Sequence, residues 1–238
     1  MLLKESSVLR RLPAVIEEKQ LLILDSLRFT IDIIDYNYEN IENRILRISE
    51  GKENKEFPQL FHYVWSLLDN VRRFIMLYQV LATDNNYTLI EPIKYVNDSR
   101  NTYQHMEARI DESLIDNRQP FFGKLKWTYH DKLSCEAYRF MAISGILYGD
   151  PGKVDFVNFN EALTIENIYL ETVDKKQKTE INISQLYLDF KGVVRDLEKG
   201  LEMKISEHNL ELNNWTSRQD IIMKVKRTGL ATFVGTLS

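Results

Sequence analysis

The clearest structural signal in this chain is the helical pattern of residues 58–81, PQLFHYVWSLLDNVRRFIMLYQVL. Its apolar residues recur every three or four positions, and such a wide apolar stripe is typical of a central helix in a bundle. The stripe consists of Leu60, Val64, Leu67, Leu68, Val71, Ile75, Tyr78 and Leu81. Proline suits the first turn of a helix, and Asp84-Asn85-Asn86 breaks the pattern. We therefore predict a well-buried helix from near Pro58 to about Leu81, with Trp65 in the core.

A long helix is predicted before this stretch, with Pro13 in its first turn. Its apolar positions follow helical spacing and are Val15, Leu22, Leu24, Leu27, Ile31, Ile34, Tyr38, Ile41, Ile45 and Ile48. The polar segment at 50–55 contains Gly51, which favours a helix end and a tight reversal. A third helix is predicted after Pro92, from about Val96 to about Leu114.

Beyond Asn117 the helical spacing gives way to short runs of β-prone residues. We predict strands around 122–129, 138–144 and 165–173, and a hairpin whose turn is Gly149-Asp150-Pro151-Gly152. The polar segment Asp174–Thr179 is predicted to be a connection. Helical spacing returns near Ile183 and continues to about Ile205, which predicts a helix that packs back onto the bundle.

These elements predict an α+β fold, an antiparallel helical bundle with an inserted antiparallel β-rich segment. The expected division places the first part of the bundle at 1–117 and the β-rich insertion at 118–180. The returning bundle helix is expected at 181–210, and a C-terminal tail at 211–238.

Composition narrows the classes of protein that this chain can belong to. With 238 residues, 44% of them hydrophobic and 28% charged, it is expected to form a compact globular protein. Its single cysteine, Cys135, excludes an internal disulfide and fits a reducing compartment. We see neither a signal-peptide core in residues 1–12 nor a membrane-spanning run, so we expect a cytoplasmic chain without a membrane partner. The net charge of −4 argues against broad coating of nucleic acid.

One cluster of residues suggests chemistry, namely Arg100-Asn101 and His105 on the predicted third helix. Asn101 and His105 are four residues apart, so a helix places them on one face, and the long side chain of Arg100 can bend toward them. Histidine exchanges protons near neutral pH, and arginine binds phosphate. His105 would therefore act as acid or base on RNA, Arg100 would stabilise the phosphate, and Asn101 would orient either group. This chemistry requires no metal and no cofactor.

The motif resembles that of the HEPN families, helical-bundle proteins in which an Arg and a polar residue precede a His by a few positions. The resemblance extends over Arg100-Asn101, Gln104-His105, Glu107 and Arg109-Ile110-Asp111. It implies a homodimer whose two motifs line one cleft. In active members it implies a metal-independent endoribonuclease, often a toxin or defence effector that has a cognate protein partner. The β-rich middle departs from the minimal family pattern.

Structural alternatives stay open for these residues. His105 is either the acid–base group or a histidine hydrogen-bonded within the bundle or exposed on its surface. Arg100 either binds phosphate or pairs with a neighbouring carboxylate in a surface contact that contributes little. The second function hypothesis is a non-catalytic dimeric interaction module of HEPN-like fold, in which the motif only stiffens an interface.

Two further groups of residues favour structural interpretations. Asp69 with Arg72 and Arg73 predicts an ion pair on a helix face rather than support for the motif. The basic and aromatic residues at 121–129 indicate a half-buried edge strand rather than a platform for single-stranded nucleic acid. His62 and His130 show no recognised metal-ligand spacing, so no metal site is predicted.

Overall fold

The computed structural model describes residues 1–52, 57–82, 87–97, 118–146, 157–174 and 177–213. It contains three long helices within these ranges, which are α1 (Glu18–Ser49), α2 (Pro58–Leu81) and α3 (Ile183–Glu207). Short 3₁₀ helices lie at Val8–Arg10 and Thr88–Ile93. None of the helices in the described ranges is both long and apolar enough to cross a membrane.

Helices α1 and α2 pack side by side in opposite directions. Asn37 Nδ2 donates to Ser66 Oγ over 2.9 Å, and further along α1 the Arg44 guanidinium donates to Gln59, which is earlier in α2. The first helix begins at Glu18, five residues later than Pro13 predicted, because residues 13–16 form a separate turn in which the Ile16 N–H donates to the carbonyl of Pro13. The prediction of its start was therefore wrong.

The buried stripe of α1 also differs from the predicted set. Leu24, Leu27 and Ile31 are buried as expected, but Val15 is 76% exposed and Leu22 is 68% exposed. Val15 precedes the helix, and Leu22 lies on the outer side of it, opposite the buried row. The end of α1 was predicted correctly, since Gly51 adopts φ +69° and its N–H donates to the carbonyl of Ile48.

Helix α2 matches its prediction at both ends. It begins with Pro58 and ends at Leu81, and its core positions Leu60, Val64 and Leu67 are fully buried. Trp65 is also buried, as expected for the apolar stripe. The apolar spacing of α2 was a sufficient signal because this helix is covered by several other elements.

Four antiparallel strands form one sheet in the order β2-β1-β3-β4. The strands are β1 (Lys124–Asp131), β2 (Glu136–Ile143), β3 (Ile165–Asp174) and β4 (Gln177–Asn182). The first three match predicted strands. Residues 177–179 were wrongly predicted to be part of a connection, because β4 is mostly polar and its hydrophobic signal is limited to the buried Ile181.

The helices and one face of the sheet share a single hydrophobic core. Trp127 of β1 donates its Nε1–H to Ser49 Oγ at the end of α1 over 2.9 Å. Phe190 of α3 contacts Phe74 of α2 edge-on, with 5.0 Å between ring centroids, so the returning helix packs on the helical pair as predicted. The chain is an α+β protein.

Two predicted elements fall outside the described residues. They are the third helix beyond Asn97 and the hairpin turn at Gly149–Gly152. The C-terminal residues after Asn213 also lie outside the described part.

Candidate functional site

The residues of the predicted catalytic motif, Arg100, Asn101 and His105, lie outside the described residues. Their roles as phosphate stabiliser, orienting group and acid–base group therefore stay predictions. The described surface nevertheless contains a candidate binding site on the helix that precedes the motif in sequence.

This site is a groove of about 720 Å³ between α2 and the start and end of the β1–β2 hairpin, which we call the α2 groove. Its described lining consists of Phe57, Pro58, Phe61, His62, Trp65, Ser66, Asp69, Asn70, Arg73, Phe122, Ile143 and Ser144. The volume is within the range usual for small-ligand sites. The groove combines an aromatic wall with a polar edge.

The polar edge of the α2 groove follows from helical spacing. His62, Ser66, Asp69 and Arg73 are separated by four, three and four residues, so they form one row along α2. His62 and Arg73 are exposed, and Asp69 is half-buried. Asp69 and Arg73, which the sequence suggested as an ion pair, thus lie together at the edge of the groove, whereas Arg72 is not among its lining residues.

Asn70 is a buried polar residue in the wall of the α2 groove. Its Nδ2 donates to the backbone carbonyl of Ser66 over 2.8 Å, which fixes the orientation of the amide. Within the described part of the chain, no donor reaches Asn70 Oδ1. A buried acceptor without a donor is costly, so such groups are uncommon away from sites of function. The sequence contained a signal for this residue, since an asparagine follows Leu67 and Leu68 within the apolar stripe of α2.

The aromatic wall of the α2 groove depends on contacts between α2 and the hairpin. Trp65 Nε1 donates to the backbone carbonyl of Phe122 over 3.2 Å. The Phe122 N–H in turn donates to Ser144 Oγ over 3.0 Å, which joins the two ends of the hairpin. Gly123 is required at this junction, because it has φ +88° and a Cβ there would lie 2.6 Å from the carbonyl oxygen of Glu171. Phe122 is consequently held at the rim of the groove, where it is partly exposed.

The structure corrects the prediction of an edge strand at residues 121–129. Strand β1 lies inside the sheet, between β2 and β3, and Trp127 is buried in the core. Phe121 and Phe122 precede the strand and are exposed, so they do not form one aromatic platform with Trp127. Among the four aromatic residues at 121–129, only Phe122 lines the α2 groove.

The face of β1 opposite the core contains buried charges. Lys124 Nζ lies 3.2 Å from Glu171 Oε1, and both side chains are buried. Lys126 also contacts Glu171 and lies 3.2 Å from Glu180 Oε2. Burial opposes ionisation of Glu171, but the hydrogen bonds and charges of Lys126 and Lys124 lower its pKa below the ordinary value. This network joins three neighbouring strands and is structural.

His130 is the second histidine that the sequence left unassigned, and it is fully buried. Its Nδ1 accepts the N–H of Asn160 over 3.1 Å, and its Nε2 lies 2.9 Å from Glu166 Oε1. Because Nδ1 accepts, Nε2 is the nitrogen that donates its hydrogen to Glu166. Both ring nitrogens are therefore occupied, and His130 fastens β1 to residues 157–166 instead of acting in the α2 groove.

No family model, curated protein or solved structure matches this chain.

Proposed function

We propose that this protein binds RNA and cleaves it without a metal ion, with Arg100, Asn101 and His105 as the catalytic residues. The observation that carries the proposal is the Arg-Asn-x-x-x-His spacing at residues 100–105. His105 would remove the proton of the ribose 2′-hydroxyl or protonate the leaving oxygen. Arg100 would balance the negative charge that grows on the phosphate, and Asn101 would orient one of these groups.

The α2 groove supports an RNA ligand by its chemistry. Single-stranded nucleic acid is bound by aromatic side chains, on which bases stack, together with cations that contact the phosphates. Phe57 and Phe122 offer partly accessible rings, while Arg73 offers an exposed cation at the polar edge.

The helical part of the fold is also consistent with an HEPN-like bundle, which is part of the proposal. Two long antiparallel helices, α1 and α2, precede the motif in sequence, and α3 returns to pack on α2. The sheet packs against the same core instead of covering the polar row of α2. The row thus stays accessible to a ligand.

The test is cleavage of a mixed, labelled single-stranded RNA pool in excess chelator. We expect the unaltered chain to cleave, and His105→Ala and Arg100→Ala each to lower the rate by about 100-fold or more, as loss of an acid–base group or of a group that stabilises transition-state charge does. His208→Ala and Arg195→Ala are matched controls, because both residues are exposed, Arg195 in the middle of α3 and His208 directly after its end. The ribonuclease proposal fails if cleavage needs a metal ion, or if the controls and the motif variants behave alike.

A second candidate function is the non-catalytic dimeric interaction module, and one feature of α1 favours it. Leu22, Phe29 and Tyr36 are seven residues apart and are 68%, 46% and 58% exposed. A repeat of seven places these side chains in one row, as in the seam between paired helices. Exposed apolar rows of this kind mark protein interaction surfaces.

A further inference from the structure

A second cavity, of about 430 Å³, lies where the end of α1 meets the β1–β2 hairpin. We call it the hairpin pocket, and its lining includes Tyr129, Tyr138, Phe140, Glu50, Asp131 and Lys52. It shares no lining residue with the α2 groove. Any ligand that it binds is therefore independent of the proposed RNA site.

Three aromatic rings wall the hairpin pocket. Tyr129 and Tyr138 are direct partners across the β1–β2 ladder, so their side chains project from the same face of the sheet. Phe140 meets Tyr129 edge-on, with 6.3 Å between centroids and 75° between the ring planes. Phe140 also stacks on the buried Trp127, which fixes the position of its ring. The pocket thus offers preformed ring surfaces at different orientations.

The charges around these rings favour a cation. Glu50 and Asp131 line the pocket, and the C-terminal end of α1 adds the partial negative charge of the helix dipole. Asp131 accepts the N–H of Leu133 and the hydroxyl of Ser134, and these hydrogen bonds lower its pKa and keep it ionised. Burial and the nearby charges of Asp131 and Glu50 raise the pKa of the Tyr129 hydroxyl, so both carboxylates lie within electrostatic reach of that ring.

We propose that the hairpin pocket binds a methylated ammonium group, such as that of trimethyl-lysine or choline, between its aromatic rings and carboxylates. Rings at several orientations around a cation are the usual way in which proteins recognise quaternary ammonium. An unmodified ammonium is strongly hydrated and loses water when it enters between aromatic rings, whereas a quaternary ammonium has no N–H group to leave without a partner. Methyl groups need only contact with the rings, so methylation should strengthen binding.

The charge of Lys52 weakens the attraction of the hairpin pocket for a cation. Its Nζ lies 2.9 Å from Glu50 Oε2, and its side chain is largely exposed. It neutralises one of the two carboxylates that attract the ligand. Removing its charge should therefore increase the affinity for a cation, while removing the charge of Glu50 should decrease it.

The test is calorimetric titration of the full chain with two probes. One is choline, and the other is an eight-residue Gly/Ser peptide with a single trimethyl-lysine, compared with the same peptide carrying unmodified lysine. We expect trimethyl-lysine to bind about fivefold more tightly than lysine, given the usual strength of cation–π contacts. Tighter binding of the peptide than of choline assigns a protein side chain as the ligand, and equal binding assigns a small quaternary amine.

Substitutions in the hairpin pocket test whether the methylated probes bind there. Tyr138→Leu should weaken binding of either methylated probe about fivefold, and Lys52→Ala should strengthen it about twofold. Tyr95→Leu is the matched control, since Tyr95 is 41% exposed and Tyr138 is 42% exposed. Glu50→Gln is a second pocket variant, located at the end of α1 and outside the hairpin. It should also weaken binding, even if Tyr138→Leu disturbs the hairpin. The proposal is overturned if methylated and unmodified lysine bind equally, or if Tyr95→Leu weakens binding as much as the pocket variants.

Discussion

At the scale of single residues, His130 shows how a buried histidine can be entirely structural. The ring accepts the Asn160 N–H and contacts Glu166, and it is fully enclosed. We expect His130→Ala to lower the free energy of unfolding by about 2–4 kcal/mol, because it leaves a cavity and removes the hydrogen-bond partner of two partly buried groups, the Asn160 N–H and the Glu166 carboxylate. Urea unfolding followed by tryptophan fluorescence measures this loss.

His62→Ala provides the comparison for that measurement. His62 is exposed on α2, and substitutions of such residues usually change stability by less than about 0.5 kcal/mol. Equal losses for the two histidines would contradict the structural role of His130. His62→Ala should instead affect RNA affinity, because it lines the α2 groove.

Glu171 gives a prediction for the dependence of stability on pH. Its pKa is lower in the folded chain than the ordinary value of 4.5, chiefly because its lysine partners outweigh the effect of burial. A lowered carboxyl pKa contributes stability that is complete above the unfolded pKa and is lost as pH falls through the folded pKa. The free energy of unfolding should therefore decrease below about pH 5, the region of the unfolded pKa.

Glu171→Gln tests the contribution of this carboxylate. At pH 7 we expect the variant to be less stable by about 2 kcal/mol, because the charge-assisted hydrogen bonds from Lys124 and Lys126 to Glu171 are then made to a neutral amide. Below pH 4 the difference from the unaltered chain should become smaller, and urea unfolding at several pH values measures it. Glu202→Gln, an exposed position on α3, should leave the pH profile unchanged. A difference that does not vary with pH would contradict the proposed ionisation of Glu171.

The partners of some buried residues could not be predicted from the sequence. The burial of Lys124 and His130 was unpredictable, because their partners Glu171 and Glu166 are supplied by another strand far along the chain. Asn70 could have been singled out from the sequence, since it interrupts an apolar stripe within one helix. Local spacing therefore identifies an unusual residue but not the partner that satisfies it.

At the scale of elements, the end of α1 yields a prediction based on one glycine. Gly51 has φ +69°, which side chains rarely adopt, and an added Cβ would meet nothing within 4 Å. Gly51→Ala should thus cost about 1 kcal/mol through backbone strain alone. Gly200→Ala in α3 is the control, because that glycine is helical with open space around it, and alanine there should stabilise by about 0.5–1 kcal/mol. Thermal unfolding of both variants checks the opposite signs.

The elements differ in how far the sequence determines them. The bounds of α2 were predictable because Pro58 and the apolar spacing point to the same helix. The start of α1 was not, because Pro13 and Val15 continue the apolar spacing into residues 13–16, which form a separate turn before the helix. Strand β4 exists through its backbone pairing with β3, a contact that leaves little trace in a polar sequence.

At the scale of the whole molecule, the α+β class followed from the change of periodicity after Asn117, but the surface sites did not. The α2 groove joins residues 57–73 with Phe122 and with Ile143 and Ser144, which are distant in sequence. Only the packing of the hairpin against α2 brings them together, through the hydrogen bond from Trp65 to Phe122. The sequence indicated Asp69 with Arg72 and Arg73 on one helix, but neither the full polar row of α2 nor the wall opposite it.

Whole molecules are expected to associate through the exposed face of α1. The row of Leu22, Phe29 and Tyr36 presents apolar side chains to solvent at the spacing of a helix seam, and burial of such side chains stabilises association. We expect the chain to sediment as a homodimer, and Phe29→Glu to shift it to the monomer, because a charge would be buried in the middle of the seam.

Met203→Glu on α3 is the matched control for that shift, since Met203 is exposed to a similar extent and lies outside α1. Helical content measured by circular dichroism should be equal in both variants, so that a change of mass reports association and not unfolding. If Phe29→Glu keeps the mass of the unaltered chain, the α1 row is not the dimer interface. If the monomeric variant still cleaves RNA, the interface and the ribonuclease chemistry are separate properties of the chain, and the motif at Arg100 and His105 acts within one molecule.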